Sequence, residues 1–286
     1  MQSLRAAVLL SVFLLVTLVL IPWQETAVLF RLRRRKTFPN RYHRFLCRLF
    51  GIRVTIVGRP VQSRGVLMVA NHTSYFDIIV LSAAARVAFV AKREVATWPL
   101  FGTLARLQET VFIAREKRSQ TVEARNLIRE RLAEGDALIL FPEGTSDDGN
   151  GVRPFKSALM GAVEAELGTD TEGRVRRVPV QPVSISYVGL YGLPMARDMR
   201  PLIAWYGDMD LVPHLWEAIK LGPFEAVVQF HDPLSIDSDG DRKQLATTAE
   251  AMVRRGQARA LAGLPPQTNA LRKTEPRNSA KVGIAA

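Results

Sequence analysis

The chain has 286 residues, 48% hydrophobic and 23% charged, which excludes a disordered or low-complexity polypeptide and leaves ample length for a buried core. Its single cysteine, Cys47, excludes an intramolecular disulfide framework and favours a reducing compartment, and four scattered histidines offer no structural zinc set. The net charge of +12 is local: residues 1–60 hold 11 Lys or Arg against one acid, Glu25, whereas the remainder is nearly balanced, so a nucleic-acid surface is not expected.

The run Ala6 to Ile21 is apolar apart from Ser11 and Thr17. As a helix it reaches about 24 Å, short of a hydrocarbon core of about 30 Å. Pro22, Gln24 and Glu25 are expected to interrupt it, so a tilted span and a shallow helical insertion both fit. The block Arg31, Arg33, Arg34, Arg35 and Lys36 favours anionic lipids at the cytoplasmic face of the inner membrane. No Ala-x-Ala site follows Ile21 and the Arg cluster opposes export, so residues 1–49 are read as an anchor with a basic segment, not a cleaved leader.

Short β-rich runs then alternate with helical stretches. Val54–Val57, Val66–Ala70, Val87–Ala91, Thr110–Ile113, Ala137–Phe141, Val178–Tyr187 and Ala226–Phe230 read as strands, and Tyr75–Ala84, Thr121–Ala133 and Ser157–Leu167 as helices, with a loop at 168–177. The fold class is therefore α/β: one domain over residues 50–260 with a mixed, mainly parallel sheet flanked by helices. Residues 261–286, rich in Pro and Asn, read as a disordered tail.

In such sheets ligands collect at the carboxyl ends of strands, which directs attention to the loops. The first holds Asn71, His72 and, five residues on, Asp77. The pair can meet only if His72 lies in the loop and Asp77 in the first helical turn; Asp77 would then fix the imidazole tautomer and stabilise an imidazolium. The spacing Ser74-x-x-Asp77 equally fits a helix-capping box, so both readings stand. A second loop, Phe141-Pro142-Glu143-Gly144-Thr145-Ser146, offers a carboxylate and a Gly that lets backbone N–H groups approach an oxyanion, or is a plain turn. A third places Arg115 just past a strand, where it could hold a phosphate or carboxylate. No Gly-x-Ser-x-Gly elbow, phosphate loop or dinucleotide fingerprint is present.

Taken together, Asn71-His72 with Asp77, Phe112-Ile113-Ala114-Arg115, Phe141-Pro142-Glu143-Gly144-Thr145 and Val178-Pro179-Val180-Gln181-Pro182-Val183 stand in an order that resembles the glycerolipid acyltransferase family, of the bacterial 1-acyl-glycerol-3-phosphate acyltransferase type. The resemblance covers roughly residues 50–230. It implies transfer of an acyl group from acyl-CoA or acyl-carrier protein to the free hydroxyl of a lysolipid, without metal or cofactor. By the same resemblance His72 is the general base and Asp77 its orienter. Glu143, Gly144, Thr145 and Ser146 position the acceptor, Lys92 and Arg115 hold its anionic headgroup, and Pro182 shapes the acyl-donor side.

One position departs from the family pattern. Members acting on lysophosphatidate commonly carry Arg after Glu-Gly-Thr, and here Ser146 is followed by Asp147 and Asp148. A related group acylates lyso-ornithine lipid, whose amine would suit an acidic loop. Lysophosphatidate is placed first as the family's commonest acceptor and lyso-ornithine lipid second. A lipid hydrolase using the same pair, and a non-enzymatic membrane or nucleic-acid binder, are the competing classes.

Overall fold

The computed structural model describes residues 1–62, 65–114, 118–164, 166–169, 173 and 175–266. Its first element, α1 (Gln2–Leu29), is a 28-residue helix, so the interruption expected at Pro22 does not occur. At 1.5 Å per residue such a helix is about 42 Å long, which corrects the marginal length read from the apolar run. Proline inside a helix costs about 3 kcal/mol through its missing N–H and its ring. The helix continues because the next turn is seated on the domain: Gln24 is buried and its Nε2 donates to the carbonyls of Arg35 and Leu107, each at 2.9 Å. Ala6, Phe13, Thr17, Gln24 and Ala27 form a buried seam from end to end, while Leu4, Val8, Leu15, Leu18, Val19 and Trp23 are exposed.

A 3₁₀ turn (Arg33–Lys36) leads into α2 (Phe38–Phe50), which buries Leu46, Cys47 and Phe50 and ends at Gly51 in the left-handed conformation. Then come β1 (Arg53–Val57), β2 (Val66–Ala70), α3 (Phe76–Ala84), β3 (Ala88–Lys92), α4 (Phe101–Leu107), β4 (Val111–Ile113), α5 (Arg118–Ala133) and β5 (Ala137–Leu140). The helix expected at Ser157–Leu167 is instead a 3₁₀ turn (Met160–Glu164) followed by β6 (Glu166–Thr169). That strand pairs with β7 (Val175–Arg177), inside the segment read as a loop. Gly161, in the middle of this segment, disfavours helix by about 1 kcal/mol, and its open face lies against the Arg125 side chain of α5. The chain closes with β8 (Val180–Leu190), β9 (Leu193–Pro194), α6 (Leu211–Leu221), β10 (Phe224–Phe230), α7 (Ile236–Asp239) and α8 (Arg242–Leu261). From residue 267 onward the expected tail lies outside the described residues.

The main sheet has the order β1-β10-β8-β2-β5-β3-β4, with β9 paired to β8. β8, β2, β5, β3 and β4 run parallel, while β10 is antiparallel to β8 and parallel to β1. β2 is buried at all five positions, as a central parallel strand covered on both faces must be. Its side chains alternate: Val66, Met68 and Ala70 join one core with Leu46, Phe50, Phe76 and Phe224, while Leu67 and Val69 join the other with α5 and α8. Ala6 and Phe13 of α1 belong to the first of these cores, so α1 and the sheet share one packed interior.

Candidate active site

β2 and β5 are parallel neighbours that end at one edge of the sheet, so the loops after Ala70 and Leu140 emerge side by side. Where β2 stops, Asn71 extends the pairing with its side chain: Oδ1 accepts from the Ile185 N–H and Nδ2 donates to the Ile185 carbonyl, both at 2.9 Å. The chain then leaves the sheet at His72, in the loop, while Asp77 lies in the first turn of α3.

That placement brings the two together, with His72 Nδ1 at 2.7 Å from Asp77 Oδ2. The same oxygen accepts from the N–H groups of Thr73 at 2.7 Å and Ser74 at 3.0 Å, and Oδ1 accepts from Tyr187 Oη at 2.6 Å. Asp77 is wholly buried. It therefore closes the loop and orients the histidine at once, while Ser74 Oγ has no partner and the reciprocal half of the capping box is absent. Burial, and then the Asp77 charge, push the Tyr187 phenol well above its ordinary range, so it stays a donor. A carboxylate at Nδ1 makes that nitrogen the donor and leaves the Nε2 lone pair free to take a proton. The imidazole stacks on Phe141 with centroids 4.1 Å apart and remains 21% exposed.

Glu143 is turned inward. Its Oε1 accepts from the His72 N–H at 3.0 Å and its Oε2 from the Arg153 N–H at 3.2 Å, so its two oxygens brace the catalytic loop. Burial pushes its carboxyl up to about 8 against those two hydrogen bonds. Gly144 has φ +81°, the left-handed value that lets the Pro-Glu-Gly turn close. Gly144, Thr145 and Ser146 line the cavity described below, and Ser146 Oγ donates to the Trp205 carbonyl. The acidic loop abuts the histidine: the Asp147 N–H donates to the His72 carbonyl at 3.1 Å, and the Asp147 carboxylate pairs with Arg153 at 3.2 Å.

Lys92, exposed at the end of β3, also lines the cavity. Pro182 does not: it is buried within β8, paired in register with Val69, and its carbonyl accepts from the His231 N–H at 3.0 Å. Arg115 lies outside the described residues. Sequence reasoning passed over Asn71 as a strand extender, Tyr187 and Trp205. Tyr187 stands 110 positions from Asp77 on a strand that reads as plain core. Trp205 donates its backbone N–H to the Thr73 carbonyl at 2.9 Å from a segment with no periodicity.

A cavity of about 370 Å³ opens beside His72. Its wall is mostly apolar, from Leu20 and Ile21 of α1, Ile78 and Ile79 of α3, Phe89, and Leu104 of α4. Trp98 and Trp205, edge to face at 5.8 Å, line it together with Tyr75. Such a volume and lining suit an extended hydrocarbon beside a polar reacting centre. Among the described residues no group of three or more His, Cys, Asp or Glu is placed to hold a metal ion.

A family model described as acyltransferase matches residues 52–186, which contain His72, Asp77, Lys92 and the Glu143–Ser146 turn but not Tyr187, Trp205 or the α1 wall of the cavity. The chain is 42% identical over 252 residues to a lyso-ornithine lipid O-acyltransferase of Brucella abortus, covering 88% of this chain and 93% of the relative. It is 30% identical over 200 residues to a 1-acyl-sn-glycerol-3-phosphate acyltransferase of Neisseria gonorrhoeae, covering 69% and 72%. Its fold is similar to the crystal structure of the 1-acyl-sn-glycerophosphate acyltransferase of Thermotoga maritima, with a TM-score of 0.61, 26% identity and coverage of 90% and 96%.

Proposed function

This chain belongs to the acyltransferase family and is an O-acyltransferase of lysolipids; from that premise we propose that it acylates the free hydroxyl of lyso-ornithine lipid, with an acyl-CoA or acyl-carrier-protein thioester as donor. The observation that carries the mechanism is the His72–Asp77 pair, with its imidazole open to an apolar cavity. His72 Nε2 removes the acceptor's hydroxyl proton as that oxygen attacks the thioester carbonyl. Asp77 stabilises the imidazolium, and the proton then passes to the departing thiolate. General-base assistance of this kind supplies about 10²–10⁴ in rate. The backbone N–H groups of Thr145 and Ser146, on the turn that lines the cavity, receive the developing oxyanion. Lys92 meets the acceptor's anionic group, and Glu143 acts through the His72 backbone.

Lyso-ornithine lipid stands ahead of the lysophosphatidate that the motif order alone places first. Its support is the relative at 42% identity together with Ser146, which stands where a phosphate-holding Arg would otherwise follow Glu-Gly-Thr. Lysophosphatidate keeps a place through the solved neighbour and the cation Lys92.

The apolar α1 is long enough to cross a bilayer. Its buried seam, however, runs from Ala6 to Ala27 against the domain, so the helix lies in one leaflet with Leu15, Leu18 and Val19 among the acyl chains. Arg34 stacks over Trp23 at 4.1 Å, an arrangement suited to the headgroup layer, and the basic turn after α1 favours the cytoplasmic face of the inner membrane.

The test follows thiol release from the acyl donor by purified protein in vesicles, with and without lysolipid. Release that requires the acceptor is the expected result, whereas equal release of free fatty acid without it would make the protein a hydrolase.

A further inference from the structure

The loop that carries His72 is tied to β8 on both sides of the histidine. Before it, Asn71 exchanges two hydrogen bonds with the backbone of Ile185; after it, Asp77 Oδ1 accepts from the Tyr187 hydroxyl at 2.6 Å. Ile185 and Tyr187 stand two apart on one strand, so a short stretch of β8 gives a backbone tie to one end of the loop and a side-chain donor to the other. Tyr187 is 3% exposed and paired in register with Ala226, and its ring meets Phe224 edge to face at 5.6 Å, which fixes where the hydroxyl points. A phenylalanine would fill the same space but bring no donor to Asp77.

Four donors share the Asp77 carboxylate: His72 Nδ1 and the N–H groups of Thr73 and Ser74 on Oδ2, and Tyr187 on Oδ1. The Tyr187 bond is strongest while His72 is neutral and the carboxylate keeps its whole charge, and weaker once an imidazolium compensates part of that charge. A donor that favours the neutral-histidine state over the charged one keeps the histidine in its base form toward lower pH. Burial, and then the Asp77 charge, push the Tyr187 phenol well above its ordinary range, so it is a fixed donor throughout. The other groups around the pair do not share this role. Burial pushes the Cys47 thiol of α2 up to about 12 and raises the Tyr75 phenol, whose oxygen is engaged with His214 Nδ1 at 2.9 Å. Asp147 pairs with Arg153, Lys92 lines the cavity, and Glu143, pushed up to about 8 by burial, meets the loop at the His72 N–H.

We propose that Tyr187 is a positioning residue for acyl transfer: through Asp77 it aims His72 and keeps the imidazole in its base form toward lower pH. The inference rests on the reading of His72 as the general base. Without the hydroxyl, Asp77 Oδ1 is buried and loses its donor, the carboxylate leans wholly on His72, and the imidazolium persists to higher pH. A proton taken by the orphaned carboxylate itself would disable the orienter over the same range, so both routes move the onset of activity in one direction. A tyrosine that served packing alone would change the rate equally at every pH.

The experiment measures kcat/KM from pH 5 to pH 9 for the full-length protein in vesicles, with a hexadecanoyl acyl-carrier-protein thioester and lyso-ornithine lipid. Three proteins are compared: wild type, Tyr187→Phe, and the chain with 3-fluorotyrosine in place of Tyr187, whose more acidic phenol is a stronger donor. Glu143 and the other titrating groups are common to all three, so differences between the profiles report position 187. In Tyr187→Phe the acid limb is expected about half a unit to one unit higher than in the wild type, a loss of about threefold to tenfold on the limb that shrinks on the plateau above it. With the fluorinated residue the limb is expected to move the other way, by a smaller amount. Any other pattern overturns the inference and leaves the acyltransferase reading intact, above all a uniform loss with unmoved limbs, which would make Tyr187 a packing residue. A wild type with no acid limb, or with no transfer at all, overturns both.

Discussion

His72 and His43 are both enclosed by the fold and each has Nδ1 within 2.8 Å of an oxygen, yet the two oxygens differ in kind. His72 faces the carboxylate of Asp77, itself held by the N–H groups of Thr73 and Ser74 and by Tyr187, and an imidazolium there has a buried counter-charge. His43 faces a backbone carbonyl in an apolar surround and is held neutral, down to about 4. Burial alone therefore does not make a general base. The partner sets what an enclosed histidine is placed to do, and the same cavity is lined by one histidine that faces a carboxylate and one held neutral against a carbonyl.

The strongest way to break that contrast is to remove the charge from the reactive side. Asp77→Asn preserves shape but withdraws the counter-charge and the tautomer control, and acyl transfer should fall by about 10³–10⁴ with an unchanged circular dichroism spectrum. A loss smaller than tenfold would mean that the carboxylate is a helix cap only.

The helix α1 offers a second contrast, between its two faces. Leu15→Glu with Leu18→Glu, on the exposed face, should lower partitioning into anionic vesicles by about tenfold or more without lowering the melting temperature. Phe13→Ala, on the seam, should destabilise the fold by about 3 kcal/mol in denaturant titrations and leave partitioning nearly unchanged. Identical behaviour of the two variants would contradict a helix that lies along the domain.

The smallest effect concerns the brace behind the histidine. Glu143 is pushed up to about 8 by burial, against an ordinary carboxyl near 4.5, so between these values the folded protein holds a proton that the unfolded chain releases. Stability is therefore lost as pH rises through that window, and the full cost is present above it. Glu143→Gln does not titrate, so melting curves from pH 5 to pH 9 should show the difference moving toward the variant by a few degrees. A difference independent of pH would place the Glu143 carboxyl in the ordinary range.

The sheet was legible because its strands are continuous apolar runs bounded by turn residues: Val66–Ala70 is buried throughout and β5 from Leu138 to Leu140, as such runs require. His72 and Asp77 were legible because their separation admits only one local geometry for contact. Pro22 misled because helix continuation depends on the anchorage of Gln24 to Leu107, 83 residues away, which no local pattern carries. Ser157–Leu167 misled because an apolar period is shared by a helix and by a 3₁₀ turn held against α5 at Gly161. Glu143 was recognised as a site residue, but only the fold shows its carboxylate turned onto the His72 backbone. Tyr187 and Trp205 reach the centre from strands and loops more than a hundred residues along the chain, and a single sequence offers no signal for such meetings.

The central claim is tested most directly by giving the purified protein in anionic vesicles a thioester donor with either lyso-ornithine lipid or lysophosphatidate, and identifying the acylated products by mass spectrometry beside His72→Ala. The account predicts ornithine lipid from the wild type and none above background from the variant. Phosphatidate as the sole product would restore the acceptor that the motif order places first, and full activity in folded His72→Ala protein would contradict general-base catalysis by this pair.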